Sequence, residues 1–183
     1  KAAEAFAGCG YPLDAQALLL CEVDGLPADV DDELGRTRAL LEAAGATSVR
    51  VARDAGERRR MWSGRKSAFP AVGRLAPDYY CMDGTIPRKR LAEMLSAIAA
   101  METKYGLRCA NVFHAGDGNL HPLIMYDASK PGDWERAEAF GAEILELSVA
   151  LGGSITGEHG VGIEKINQMC VQYATPEIEA FHR

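Results

Sequence analysis

The stretch Leu107-Arg-Cys-Ala-Asn-Val-Phe-His-Ala-Gly-Asp-Gly-Asn-Leu-His-Pro-Leu-Ile-Met-Tyr126 contains two apolar segments on either side of a glycine-rich turn. Residues 107–113 and 120–126 each have the length and apolar content of a strand. Asp117-Gly118 between them is a favoured two-residue hairpin turn. The stretch therefore predicts an antiparallel hairpin, and the rest of the fold is predicted outward from it.

A helix is predicted directly before the hairpin, over 88–105, because apolar residues recur there at spacings of three and four and Gly106 ends the run. The other predicted elements are strands over 17–23, 47–52 and 79–86 and helices over 29–44, 57–69, 133–151 and 164–173. Two split strand–helix–strand units in this order predict an α+β fold, a ferredoxin-like antiparallel sheet with helices packed on one face. With no linker in the sequence, residues 1–183 predict one domain.

The composition is that of a globular protein: of 183 residues, 48% are apolar and 25% are charged. Twenty Lys and Arg against 26 Asp and Glu give a formal net charge of −6, which opposes binding to nucleic acid or an anionic membrane. Five cysteines, an odd number without a CxxC motif, exclude a disulfide framework and favour a reducing cytoplasm. No apolar run is long enough to predict a membrane span.

Two histidines, His114 and His121, flank the predicted turn. If Asp117-Gly118 is a two-residue loop, the two histidines face each other, with Cβ atoms about 4.5–5.5 Å apart. Two imidazoles at that separation can share one cation. A turn with two hydrogen-bonded histidines near a core fits the same spacing, so the residues leave both interpretations open.

A second glycine-rich segment, Gly152-Gly-Ser-Ile-Thr-Gly-Glu-His-Gly-Val-Gly162, contains one carboxylate and one imidazole side by side. Neighbouring side chains in an extended chain point in opposite directions, so Glu158 can join His114 and His121 as a third ligand while His159 faces elsewhere. His159 would then be a base beside the metal. Two histidines and a carboxylate suit Zn, Mn or Fe(II). A solvated Glu–His pair in a flexible loop is the alternative.

Arg65 follows Trp62 in the predicted helix over 57–69, after the basic run Arg58-Arg59-Arg60. An arginine on a partly apolar helix suits a bidentate contact with a carboxylate. A solvated basic face is the preferred interpretation of the run at 58–60. Spacing alone does not distinguish Arg65 from that face.

The motifs at 114–121 and 152–160 closely resemble the C-terminal domain of FAD-linked oxidases of the vanillyl-alcohol oxidase type. They are specific to the D-2-hydroxy-acid dehydrogenase branch of that family. Trp62-Ser-Gly-Arg-Lys-Ser-Ala-Phe-Pro-Ala-Val-Gly73, Asp78-Tyr-Tyr-Cys-Met-Asp-Gly-Thr-Ile-Pro87 and Glu164-Lys-Ile-Asn-Gln-Met-Cys170 favour the bacterial glycolate oxidases within the branch. The resemblance covers nearly the whole chain.

The resemblance implies a role for each candidate residue. His114, His121 and Glu158 stand where a divalent metal is held, His159 stands at the position of the catalytic base, and Arg65 at that of the arginine that binds the substrate carboxylate. It also implies FAD, held mainly by an N-terminal FAD-binding domain. Residues 1–183 are then expected to be the substrate and metal side of a longer enzyme, inactive alone.

The implied reaction of the intact protein is oxidation of glycolate to glyoxylate, with D-lactate or another D-2-hydroxy acid as the alternative substrate. The implied partners are the small 2-hydroxy acid, the protein's own FAD domain and other glycolate oxidase subunits, including an iron–sulfur subunit. The expected location is cytoplasmic, with peripheral attachment to the inner membrane through a complex. Two other classes stay open: a metal-dependent hydrolase, and a non-enzymatic ferredoxin-like interaction module with structural histidines.

Overall fold

The structure is a computed structural model that describes residues 1–181, and the chain divides into two compact units, Lys1–Ala68 and a second unit from Phe69 onward. The first unit contains three helices, α1 (Ala2–Ala7), α2 (Pro27–Ala43) and α3 (Ala55–Lys66). Helix α2 begins at a proline, whose fixed φ suits the first helical position, and it confirms the helix predicted over 29–44. That the two units act as one domain stays a prediction.

The two strands predicted in the first unit, over 17–23 and 47–52, are wrong, because both segments are irregular. Leu18 and Leu19 are 46% and 56% exposed rather than buried. A strand is stable only when its backbone groups pair with those of another strand. Within the described first unit no strand is available to either segment, so the apolar pattern alone does not produce one.

The second part of the chain has the following elements: α4 (Ala68–Val72), β1 (Asp78–Cys81), β2 (Gly84–Thr85), α5 (Leu91–Tyr105), β3 (Arg108–His114), β4 (Asn119–Tyr126), α6 (Asp133–Ala150), α7 (Met169–Gln172) and α8 (Thr175–Phe181). Short 3-10 turns at Arg88–Arg90 and Ile166–Gln168 precede α5 and α7. The predicted hairpin and the long helices on either side of it are confirmed. Across residues 1–181, no helix combines the length and apolar content that crossing a membrane requires.

Strand β4 is the centre of an antiparallel sheet, with β3 on one side and β1 and β2 on the other. Cys81 pairs with Leu123 and Gly84 pairs with Leu120, so one register runs through both short strands. Strands β1 and β2 therefore form one interrupted strand, as predicted over 79–86, and the α+β antiparallel class is confirmed. Continuing this register places Asp83 opposite His121.

The two faces of the sheet are covered differently. Leu120 and Ile124 belong to the core formed with the two long helices α5 and α6, whereas Leu123 and Met125 pack against Val72 of α4. Because side chains alternate along a strand, His121 lies on the same face as Leu123, away from the long helices. The fold thus places His121 at the turn end of the sheet on its less thickly covered face.

Candidate functional site

His121 is the buried centre of the candidate site. Its side chain is 3% exposed, and neither Nδ1 nor Nε2 has a hydrogen-bond partner among residues 1–181. Its Nε2 lies 2.8 Å from Glu158 Oε1, but the alignment is not that of a hydrogen bond. Leaving a buried polar group without a partner costs about 1–3 kcal/mol. The structure therefore does not support a structural His121 whose ring is hydrogen-bonded within the core. The two ring nitrogens are suited to binding a cation.

The hairpin brings His114 to His121 by a different register from the predicted one. His114 pairs with Asn119, so the loop has four residues instead of two, and the prediction of directly opposed histidines is wrong. Gly118 explains the difference, because its carbonyl accepts a 3.0 Å hydrogen bond from Ile86 N–H. The two histidines still share one face as diagonal neighbours, with ring centroids 5.4 Å apart.

The second glycine-rich segment lies along the outer edge of β2. Thr85 and Ser154 exchange two backbone hydrogen bonds, each of 3.0 Å, and their hydroxyl oxygens are 2.7 Å apart. The carbonyl of Asp83, which directly precedes β2, accepts a 3.0 Å hydrogen bond from Gly157 N–H. The segment thus extends the sheet, and this docking carries the following two residues to the side of His121.

Gly153 makes this close approach possible. A Cβ at that position would lie 1.8 Å from the Thr85 carbonyl oxygen, whereas a Cβ at Gly116 would meet nothing within 4 Å. We expect Gly153→Ala to lower the free energy of unfolding by about 1–3 kcal/mol, the usual effect of overpacking. Gly116→Ala is the matched control and should stay within about 0.5 kcal/mol of the parent. Equal denaturation midpoints for the two variants in the full-length protein would contradict the docked loop.

His159 is half-exposed and lies beside His121. The two rings stack with centroids 5.1 Å apart and an interplanar angle of 14°, and His159 Nε2 is 3.7 Å from Glu158 Oε1. The expectation that His159 faces away from the other candidate groups is wrong. It assumed an extended chain at 158–159, and this segment is irregular. Both half-exposed side chains therefore line the solvent side of His121.

Asp83 is the site residue that the sequence analysis missed. It is fully buried, and its Oδ1 lies 3.8 Å from His121 Nε2. One ligand atom from each of Asp83, His121, Glu158 and His159 lies within 4.8 Å of the others, and this four-residue cluster does not include His114. The sequence feature that could have identified it is a charged residue within a predicted apolar strand. Such a residue needs a partner when it is buried.

The electrostatics of the cluster favour a lone-pair donor at its centre. Burial lowers the pKa of His121, although the nearby Glu158 and Asp83 carboxylates act in the opposite direction. The ring is then neutral at pH 7, which is the form that binds metals. Ligands of a tetrahedral ion stand roughly 3.3–3.6 Å apart. The separations of 2.8 Å and 3.7 Å from Glu158 Oε1 to the two imidazole Nε2 atoms bracket that value.

Arg65 lies near the end of α3 in the first unit and is partly buried. The helix packs closely there, since a Cβ on the neighbouring Gly64 would come within 2.4 Å of the Tyr11 ring and 2.5 Å of Cys9 Sγ. This packing fixes the helix turn that carries Arg65. Its role toward a substrate carboxylate stays a prediction.

Comparison with known proteins gives one family and a consistent set of relatives. The family model described as FAD linked oxidases, C-terminal domain, matches residues 1–183. The glycolate oxidase subunit GlcD of Escherichia coli (strain K12) is 60% identical over 182 residues, which cover 100% of this chain and 36% of that protein. GlcD of Bacillus subtilis (strain 168) is 40% identical over 87% of this chain and 34% of its own length.

A more distant relative is the D-lactate dehydrogenase [cytochrome], mitochondrial, of Arabidopsis thaliana, 28% identical over 87% of this chain and 29% of its own length. The chain thus spans about a third of the length of the curated relatives it matches. Residue identity is roughly twice as high with the first glycolate oxidase subunit as with this D-lactate dehydrogenase.

Proposed function

The chain belongs to the family of FAD linked oxidases, C-terminal domain, and from this premise we propose that the whole protein oxidises glycolate to glyoxylate. The chain itself supplies the metal- and substrate-binding side of that enzyme. The observation that carries the proposal is the buried His121, whose ring nitrogens have no hydrogen-bond partner among the described residues and which lies beside Glu158 and His159.

His121, Glu158 and His114 are the residues proposed to hold a divalent cation, with Zn, Mn or Fe as candidates. Two of these donors fit such an ion, because the buried His121 imidazole and the half-exposed Glu158 carboxylate lie 2.8 Å apart through Nε2 and Oε1, and the His114 ring lies 5.4 Å from that of His121. When bound, the cation supplies positive charge that favours loss of the substrate hydroxyl proton, and FAD, held mainly by the N-terminal domain, supplies the electron acceptor.

His159 is proposed to take the hydroxyl proton on Nε2 as general base. Its half-exposed ring stacks on His121, which keeps it at the open side of the cluster where a substrate hydroxyl can approach. The Glu158 carboxylate, 3.7 Å away, stabilises the imidazolium that forms. Arg65 is proposed to bind the substrate carboxylate with its two parallel N–H donors. The proposed roles are thus proton removal for His159 and carboxylate binding for Arg65.

A substrate comparison on the full-length protein tests the proposal. We expect kcat/KM for glycolate to exceed that for D-lactate by about 10–200-fold, because one methyl group changes binding in a shaped pocket by about 1–3 kcal/mol. A preference for D-lactate would support the alternative suggested by the D-lactate dehydrogenase relatives. Turnover of an ester or amide without flavin would favour a hydrolase. Turnover of neither class would favour an interaction module.

The proposed partners follow from the same relatives. Two of them are named as subunits, so we propose that the whole protein assembles with other glycolate oxidase subunits, one of them an iron–sulfur protein that accepts the electrons. Location in the cytoplasm, with peripheral attachment to the inner membrane through that complex, stays a prediction.

A further inference from the structure

The Asp83 carboxylate collects donors from one short segment of the glycine-rich loop. Its Oδ2 accepts hydrogen bonds from Thr156 Oγ1 at 2.9 Å, Gly157 N–H at 3.0 Å, Glu158 N–H at 3.1 Å and His159 N–H at 2.8 Å. Three consecutive backbone N–H groups therefore converge on one oxygen, as in the anion-binding concavities that backbones form. These contacts fix the backbone of the two residues whose side chains face His121.

Lys165, three residues after the glycine-rich segment, contacts the same carboxylate. Its side chain is buried, and Nζ lies 3.2 Å from Asp83 Oδ2 and donates to the Asp83 carbonyl at 3.1 Å. Burial alone would raise the pKa of Asp83, but the donors from His159, Thr156 and the intervening amides hold it well below its usual range. A buried lysine and a buried carboxylate thus compensate each other's charge.

Two roles are compatible with the position of Asp83, and the contacts distinguish them. As a member of the four-residue cluster it could be a ligand. However, Oδ2 already receives five donors, and Oδ1, the oxygen 3.8 Å from His121 Nε2, shares the Glu158 N–H at 3.2 Å, whereas a carboxylate has only about four lone-pair sites in total. The Lys165 ammonium beside it would also repel a cation, since like charges a few ångströms apart interact strongly in a buried site. The contacts are those of a group that holds the loop.

We propose that Asp83, paired with Lys165, is a positioning residue that fixes Glu158 and His159 beside His121 and does not itself bind the cation. The predicted effect on cation binding rests on the proposed function, whereas the hydrogen bonds that Asp83 accepts from the loop backbone do not depend on it. An uncharged pair at the two positions would preserve the packing and remove the charged acceptor on which the amides converge.

The test uses the full-length protein with Co²⁺ alone as the probe. Variants are Asp83→Asn, Lys165→Gln and the double variant, with Asp133→Asn as the matched control, because Asp133 is a buried carboxylate that accepts a backbone N–H and lies outside the cluster. Three quantities are measured for each: Co²⁺ affinity by titration, the thermal midpoint Tm, and hydrogen exchange of the amides at 156–160.

We expect both single variants to bind Co²⁺ about 10–100-fold more weakly, the usual effect of losing a group that orients a ligand. Each single variant should also have a lower Tm than the parent, because it leaves one buried charge uncompensated. The double variant should regain the parental Tm, because it leaves neither charge. Its Co²⁺ affinity should stay weak and its amides at 156–160 should exchange fast. The Asp133→Asn control should keep parental affinity and slow exchange at those amides.

Three results would overturn the proposal. Tighter Co²⁺ binding by Lys165→Gln would make Asp83 a ligand freed from a competing ammonium. If the double variant recovered both Tm and Co²⁺ affinity, Asp83 and Lys165 would only compensate each other's charge and would not position the ligands. Slow exchange at 156–160 in Asp83→Asn would show that the loop does not depend on it. If the parent binds no Co²⁺, the proposed metal site fails, and the exchange rates alone then decide the positioning role.

Discussion

Replacing His159 by glutamine in the full-length protein is expected to lower the glycolate-dependent kcat by about 10²–10⁴, the contribution usual for a general base. Glutamine keeps a polar side chain at this half-exposed position but cannot take a proton at neutral pH. The cation should stay bound, because the proposed ligands are His114, His121 and Glu158. The measurement is steady-state turnover together with the metal content of the same preparation.

The structure gives this prediction a specific reason. The His159 ring stacks on His121 at 5.1 Å, and its Nε2 faces the Glu158 carboxylate from the solvent side. A base at that place belongs to the four-residue cluster and is half-exposed, so it lies next to two of the proposed metal ligands. A second variant, His159→Ala, leaves a gap that free imidazole can occupy. Added imidazole should therefore restore part of its turnover.

The matched control is Ile163→Ala, in the same loop, since Ile163 is 88% exposed and lies outside the cluster. Its turnover should be that of the parent. A His159→Gln variant with turnover within about threefold of the parent would end the role of His159 as base. Loss of the cation from His159→Gln would instead make His159 a ligand.

Replacing His121 by leucine is expected to abolish turnover without destabilising the metal-free protein. Both imidazole nitrogens lack a hydrogen-bond partner within the described structure, so an apolar side chain of similar volume removes an unsatisfied polar group. The free energy of unfolding of the metal-free protein should stay the same or rise by up to about 1–3 kcal/mol. Chemical denaturation and glycolate turnover measure the two effects.

Met125→Leu is the control for this substitution, because Met125 is buried on the same face of β4 as His121. A volume-conserving apolar change there should leave turnover intact and alter stability by less than about 1.5 kcal/mol. If His121→Leu lowers the free energy of unfolding of the metal-free protein, its loss of turnover would follow from loss of structure, and His121 would be a structural residue. Its unpartnered nitrogens would then need another explanation.

Parts of the fold could be predicted from the sequence because their signals are local. The helix predicted over 88–105 and the hairpin strands depend on apolar spacing within one short segment, and the structure confirms them. The strands predicted over 17–23 and 47–52 are wrong for the opposite reason. Whether an apolar segment finds a partner depends on distant parts of the chain, and periodicity carries no such information.

The candidate site divides in the same way. The sequence analysis grouped His121 with Glu158 because both lie in glycine-rich segments with groups that bind metals, and the structure places His121 Nε2 2.8 Å from Glu158 Oε1. The hairpin register was wrong because Gly118 bonds to Ile86, a residue of another segment. Asp83 was missed because its position opposite His121 follows from the pairing of β1 and β2 with β4, which no short motif encodes.

The number of divalent ions per chain, measured by elemental mass spectrometry on the full-length protein and its His121→Leu variant, tests the central claim most directly. We predict about one ion per chain in the parent after dialysis, since the donor set includes a buried neutral imidazole, and none in the variant. Met125→Leu should keep the parental number. An equal number of bound ions in the parent and in His121→Leu, or none in either, would contradict the proposed metal centre.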